Sequence, residues 1–404
     1  MPPGAWRSLL DGESRDRALE IIDAITRATS TIEPPTNVAS ISLVGGLTGV
    51  GVFHHHVGHP SPALEVVSDA ISEIPLNGSL WRGFTGVAWL VEHAAQSAAE
   101  DATDDANEAI DEALLEFLAG ESPGFDLLDG LTGIGVYALE RLPRPGAVTM
   151  LEMVVAKLRA SVVSRDGGLT WFVRPEMLPP QIRALHPNGM VQLGVAHGIN
   201  GVIGLLGHTC RAGVAFDAAR ALLLDVVPWM LAQALPEPSP SRFPFQIEEG
   251  EPSRPAHAAW CMGDPGIAIT LLAAARGIDE PSWEAAAIEI ACKAARRSVE
   301  DAGVRDAGLC HGAAGLGHLF NRMHQATHNE TLGIAARVWL ERTIAMRQPT
   351  RAVAGFPVHD PDHGDPWVAD PGLLYGAAGV GLALAAAVSE IEPTWDRLFL
   401  MNVA

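Results

Sequence analysis

Residues 130–135 read Gly-Leu-Thr-Gly-Ile-Gly, and residues 46–51 repeat them with one change, Gly-Leu-Thr-Gly-Val-Gly. The same frame, glycine at its first and fourth positions with an apolar run behind it, recurs as GFTGVA from Gly83, GINGVI from Gly198, GDPGIA from Gly263, GAAGLG from Gly312 and GAAGVG from Gly376. The first glycines stand 37 to 68 residues apart, which leaves room for one helix in each motif and another between motifs. That is a helical-hairpin repeat. Paired glycines at a helix start let the backbone approach a neighbour closely, and the Val/Ile/Leu/Ala run that follows has no polar face and must be buried on all sides. The intervening segments are amphipathic: in Ala106–Leu118, Ile110, Leu114, Phe117 and Leu118 share one helical face while Glu108, Asp111, Glu112 and Glu116 fall elsewhere. An open stack of such hairpins would need polar caps, yet the last copy is as apolar as any other. The expectation is a closed all-α chain, an α/α barrel of seven inner and seven outer helices, with residues 1–404 forming a single domain.

Composition agrees with a large folded core, since 48% of the 404 residues are apolar and only 19% charged. The 27 Lys and Arg against 48 Asp and Glu give a net charge of −21, which repels phosphate backbones and anionic membrane surfaces, so no nucleic-acid partner is expected. Four cysteines, Cys210, Cys261, Cys292 and Cys310, are far too few for a disulfide-stapled secreted domain. With no basic segment followed by an apolar run at the N-terminus, the expected compartment is the cytoplasm. The uncharged run Gly372–Val388 approaches the length of a membrane span, but as the seventh inner helix it is expected to be buried, without membrane insertion. Two stretches depart from the hairpin plan: a β- and Pro-rich insertion or elaborated loop near 162–190, and a loop at 236–257 with six prolines.

Reactive side chains gather just before the motif glycines. Copy five is entered by Trp260-Cys261-Met262, copy six by Leu309-Cys310-His311, copy four by Ala196-His197, and copy three by Phe125-Asp126-Leu127-Leu128-Asp129. In a barrel these positions converge on one mouth. Cys261, Cys310 and His311 would then form a three-ligand soft site, and three protein ligands with a fourth position open is the arrangement of catalytic Zn2+. Cys210 and Cys292, in helical segments without such partners, read as small buried hydrophobes. His54, His55 and His56 are consecutive, so they cannot share one ion on a helix, where neighbours point about 100° apart. They read as a solvated helix end.

With Trp260-Cys261-x-Gly263-x-Pro265-Gly266, Cys310-His311-Gly312 and Ala196-His197-Gly198, the chain from Gly46 to Gly381 resembles the lanthionine synthetase C-like family, the LanC cyclases of lantibiotic biosynthesis. The resemblance implies zinc on Cys261, Cys310 and His311, and proton-transfer roles for His197 and Asp126. Asp126 read alone also suits a helix cap. Two positions differ from the family pattern: His257 stands where an Arg is frequent, four residues before the first zinc Cys, and Met262 where a Tyr is frequent. His257 is thus a candidate for the missing positive charge, with Arg254 of the same loop as the other.

The implied activity is Michael-type addition of Cys thiols to dehydroalanine or dehydrobutyrine in a precursor peptide, forming lanthionine and methyllanthionine rings. The dehydrated peptide would come from a separate dehydratase. Two other readings are addition of glutathione to dehydrated residues by the same zinc site, and a non-catalytic scaffold that binds a peptide within a biosynthetic complex. An open soft-metal site favours an enzyme over the scaffold.

Overall fold

A computed structural model describes residues 6–31, 33–97, 105–120 and 123–403. In chain order the first helices are α1 (Gly12–Thr29), α2 (Val38–Ile41), α3 (Leu47–His56), α4 (Ala63–Ala70), α5 (Phe84–Ser97), α6 (Glu108–Gly120), α7 (Leu131–Glu140) and α8 (Pro145–Ser161). They are followed by α9 (Pro180–Leu185), α10 (Ile199–Arg211), α11 (Phe216–Ala232), α12 (Asp264–Gly277), α13 (Pro281–Ala295), α14 (Ala313–Thr327), α15 (Glu330–Ala345) and α16 (Ala377–Val388). Three short antiparallel ribbons complete the described elements: β1 (Val163–Arg165) with β2 (Gly168–Thr170), β3 (Val191–Gln192) with β4 (Gln246–Ile247), and β5 (Pro357–His359) with β6 (Trp367–Ala369).

Helices α3, α5, α7, α10, α12, α14 and α16 each begin one residue after the first glycine of a motif copy. Their apolar sequences are buried as expected: every residue of α10 from Ile199 to Cys210, and of α12 from Asp264 to Ala275, is buried. The second glycine of the frame explains why the start is so uniform. A Cβ on Gly266 would lie 2.0 Å from the Trp260 carbonyl oxygen, and one on Gly315 would lie 1.9 Å from that of Leu309. The close neighbour is therefore the chain's own turn, six residues back, rather than only another helix.

The chain forms two compact units. In the unit built from Met1–Ile110 and Val304–Asn402, α14, α16, α3 and α5 are successive neighbours, with α15 on α14 and α4 on both α3 and α5. The last motif helix takes its amphipathic partner from the start of the chain, because α1 packs on α16. The Leu9 and Leu10 N–H groups donate to the Ala387 carbonyl at 2.8 and 3.0 Å, and Trp6 Nε1 donates to that of Ala386 at 2.9 Å. In the unit built on Asp111–Gly303, α7, α10 and α12 are successive neighbours, covered by α8, α11 and α13 respectively. Between α8 and α10 the β1–β2 hairpin turns through Asp166 and Gly167, both at positive φ, and lays Gly168 against Trp229. The β3–β4 ribbon then ties the proline-rich 236–257 loop to the segment before α10.

Two local expectations are corrected. Asp111 on α6 is buried rather than on the solvated face, because its carboxylate accepts from Tyr137 Oη at 2.7 Å and from Arg141 Nε at 3.1 and 3.2 Å, and a paired charge tolerates burial that a lone one does not. The 54–56 histidines are not a solvated helix end. His54 is buried with Nε2 2.8 Å from Thr29 Oγ1, while His55 and His56 are half-buried. Burial first, then the neighbouring His59, pushes the His54 pKa down to about 4.

Candidate active site

The motif frame gives each copy two positions just ahead of its first glycine. Cys261 and Cys310 stand two residues before it, where other copies carry Val44, Trp81, Leu128, Ala196 and Leu374. His197 and His311 stand one residue before it, where other copies carry Gly45, Arg82, Asp129, Met262 and Tyr375. Main-chain hydrogen bonds fasten these turns to one another from copy to copy. In one unit Cys310 N donates to Leu374 O at 3.0 Å, Leu374 N to Val44 O at 2.9 Å and Leu43 N to Trp81 O at 3.1 Å. In the other, Val195 N and Ala196 N donate to Cys261 O at 2.8 and 3.2 Å, and Leu127 N donates to Ala196 O at 3.1 Å. Backbone bonds of this kind fix a turn without using its side chains, which remain available for chemistry.

Cys261, Cys310 and His311 offer two thiol sulfurs and an imidazole nitrogen that lie within 4.8 Å of one another. Both cysteines are buried and His311 is partly exposed. The donor set fits zinc: tetrahedral Zn–S bonds of about 2.3 Å put neighbouring ligand atoms roughly 3.8 Å apart, so a small contraction would complete three corners of a tetrahedron. Among the described residues this is the one group of three His, Cys or carboxylate side chains so gathered. The group can bind a metal ion.

Cys210 and Cys292 lie apart from it, buried in α10 and α13. Burial, against a weaker pull from Arg220, raises the Cys210 pKa to about 11 and keeps that thiol neutral.

His197 Nδ1 lies 2.9 Å from Asp126 Oδ2, and the pair is part-buried with side-chain exposures of 38% and 24%. The other carboxylate oxygen of Asp126, Oδ1, accepts from Asp129 N at 2.8 Å, which pins the carboxylate inside the turn leading to α7. The turn is tight because a Cβ on Gly130 would meet the Gly124 carbonyl oxygen at 2.1 Å. His197 thus has one ring nitrogen held by a carboxylate.

His257 is exposed and lies against Gly303, where a Cβ would come 2.0 Å from His257 Nδ1. Its carbonyl oxygen sits beneath Gly263, 2.2 Å from where a Cβ would stand, so the backbone of residue 257 helps shape the turn that carries Cys261. Arg254 is also exposed, and its carbonyl accepts from Phe245 N at 2.9 Å.

Sequence reasoning missed Tyr375, whose ring lies 5.6 Å from that of His311 at an interplanar angle of 45°. It also missed Asp370, whose Oδ1 accepts from Gly372 N at 2.6 Å and whose pKa burial pushes up, against the pull of that hydrogen bond. The repeat frame was the available signal for Tyr375, since it occupies the same position as His197 and His311.

Apolar helices that follow paired-glycine turns, with a thiol–thiol–imidazole group at two of those turns, define a class of helical-repeat protein with a Cys/His cluster that can bind a metal. The lanthionine synthetase C-like protein model matches residues 60–400, and the chain belongs to that family. The chain is 23% identical over 264 residues to the nisin biosynthesis protein NisC of Lactococcus lactis subsp. lactis, a stretch covering 60% of this chain and 61% of that relative. A solved structure of a nisin cyclase superposes with a TM-score of 0.75 at 18% identity, over 96% of this chain and 97% of that one. That likeness shows the fold, and the α/α-barrel class expected from the repeats is the class found. No helix among the described residues is long and apolar enough to cross a membrane.

Proposed function

We propose that the chain is a zinc-dependent lanthipeptide cyclase acting as one domain in the cytoplasm, closing thioether rings in a precursor peptide that a separate dehydratase has dehydrated. The observation that carries this reading is the gathering of Cys261, Cys310 and His311 within 4.8 Å, in a chain of the lanthionine synthetase C-like family. Zinc bound there would take up a substrate thiol and keep it deprotonated at neutral pH, where a cysteine with a pKa of about 8.5 is otherwise a weak nucleophile. Cys261, Cys310 and His311 would hold that ion.

When the substrate sulfur bonds to the β-carbon of a dehydroalanine or dehydrobutyrine, the α-carbon must gain a proton. His197, as imidazolium, is the donor in this reading. Its Nδ1 faces Asp126, so the proton is delivered from Nε2, and the carboxylate orients the ring and favours its recharging from solvent. His257 is assigned the positive charge at the position where the family pattern frequently has an Arg.

The test joins metal and chemistry. The purified chain should contain about one zinc, and Cys310→Ala should lose most of it while keeping its helical circular dichroism. Ring closure conserves mass, so thiols in a synthetic peptide carrying one dehydroalanine and one cysteine are counted by alkylation. Loss of peptide thiol with the native chain and none with Cys310→Ala is the expected result. Near-stoichiometric zinc in Cys310→Ala would overturn the ligand assignment, and equal thiol loss in both chains would overturn the activity.

A further inference from the structure

The segment Gly308–His311, which carries two of the three ligands, is pressed against Leu374–Tyr375 at three points. Cys310 N donates to Leu374 O at 3.0 Å. Gly308 has no room for a side chain, since a Cβ there would lie 2.5 Å from the Tyr375 carbonyl oxygen and 3.1 Å from its Cα. The Tyr375 ring meets the His311 ring at 5.6 Å and 45°. The Leu374–Tyr375 strip is itself held from behind: Leu374 N donates to Val44 O at 2.9 Å, and Asp370 closes the preceding turn on Gly372 N.

From this packing we infer that Tyr375 is a positioning residue of the metal centre, whose aromatic ring fixes the orientation of the His311 imidazole toward the ion. The inference rests on the metal-binding reading of Cys261, Cys310 and His311. A half-exposed histidine left to itself samples several rotamers, and an imidazole must stand in one of them to share an ion with two buried thiols. The neighbouring ring excludes the alternatives by volume. The work is done by the bulk of the ring, so the hydroxyl is not required for it. The turn frame makes this economical: Tyr375 occupies in copy seven the position that His311 occupies in copy six, and the backbone bond between copies sets the two side chains next to each other.

Zinc affinity, measured on the full chain by competition with a chromophoric chelator, tests the inference without any turnover. Residues that orient metal ligands typically contribute about 10- to 100-fold in affinity, so Tyr375→Ala should weaken zinc binding by that order while Tyr375→Phe stays close to the native chain. The visible spectrum of the cobalt-loaded chain should change with Tyr375→Ala and not with Tyr375→Phe. Gly308→Ala, which leaves the tyrosine in place but forces the two strips apart, should also weaken binding, and it serves if Tyr375→Ala fails to fold. Native affinity in a folded Tyr375→Ala chain would overturn the inference, and so would native affinity in Gly308→Ala where Tyr375→Ala does not fold. Equal losses in Tyr375→Phe and Tyr375→Ala would overturn it too, by assigning the effect to the hydroxyl. A native chain with no zinc affinity would remove the metal reading, and the inference with it.

Discussion

At the scale of the residue, a thiol–thiol–imidazole group stands apart from an imidazole–carboxylate pair, and the metal-holding and proton-transfer roles proposed for them can be tested separately. His197→Asn should keep zinc but slow loss of peptide thiol by about 10²- to 10⁴-fold, the usual cost of removing a placed general acid. Asp126→Asn, which keeps the shape but not the charge behind Nδ1, should fall between that variant and the native chain. Stopped-time alkylation of the peptide measures both, with elemental analysis run alongside. An unchanged rate in His197→Asn would make the histidine structural. The clustering of Cys261, Cys310 and His311 was legible because thiols and imidazoles at equivalent places in a repeat are a coincidence that packing does not require. Tyr375 was not legible in the same way, because a tyrosine beside a helix start is ordinary until its distance to His311 is known.

At the scale of the element, the paired-glycine turn is the unit that repeats, and its cost of substitution follows from where the backbone returns. A Cβ on Gly86 would lie 2.2 Å from the Leu80 carbonyl oxygen and 2.9 Å from Leu43 Cδ1, while one on Gly364 would meet nothing within 4 Å. Backbone cannot step aside as a flexible side chain can. Gly86→Ala should therefore destabilise by roughly 1–3 kcal/mol, the usual range for overpacking, and Gly364→Ala by no more than about 0.5 kcal/mol, as at an ordinary surface site. Urea unfolding midpoints compare the two, and equal midpoints would remove the explanation. The amphipathic helices were readable from their apolar positions, yet Asp111 shows the limit of periodicity. A carboxylate on a helix looks solvated until a buried partner such as Arg141, thirty residues on, is brought to it.

At the scale of the whole molecule, one buried polar network predicts how the protein responds to acid. His318 Nε2 donates to Asp396 at 2.8 Å, and Arg322 Nε donates to the same carboxylate, so the segment after α16 is bonded to α14 inside one unit. Burial works against the charge on Asp396, but Arg322 and His318 hold its carboxyl well below the usual carboxylate range. Burial lowers His318 and takes His56 to about 4; for His56 the pull of Asp396 in the other direction is outweighed by burial with His93, His318 and His55.

Native His54 and His56 thus stay neutral down to about pH 4, while the same groups in the unfolded chain take up protons near 6.5. Between these values the unfolded state binds more protons, so stability falls as pH drops from 6.5 toward 4, whereas the Asp396 contribution is lost only at still lower pH. Urea midpoints should decline across that window, and His56→Asn should flatten the decline. A midpoint independent of pH there would refute the burial argument.

The sequence alone determined the repeat, the helix starts and which thiols and imidazole would cluster, because glycine spacing, apolar runs and thiol placement are local properties. Tertiary structure alone decided which polar side chains are buried in pairs, that α1 completes the last hairpin on α16, and that Tyr375 stands against His311. Those outcomes depend on contacts between residues far apart in the chain, and the geometry of such contacts exists only once the helices have packed.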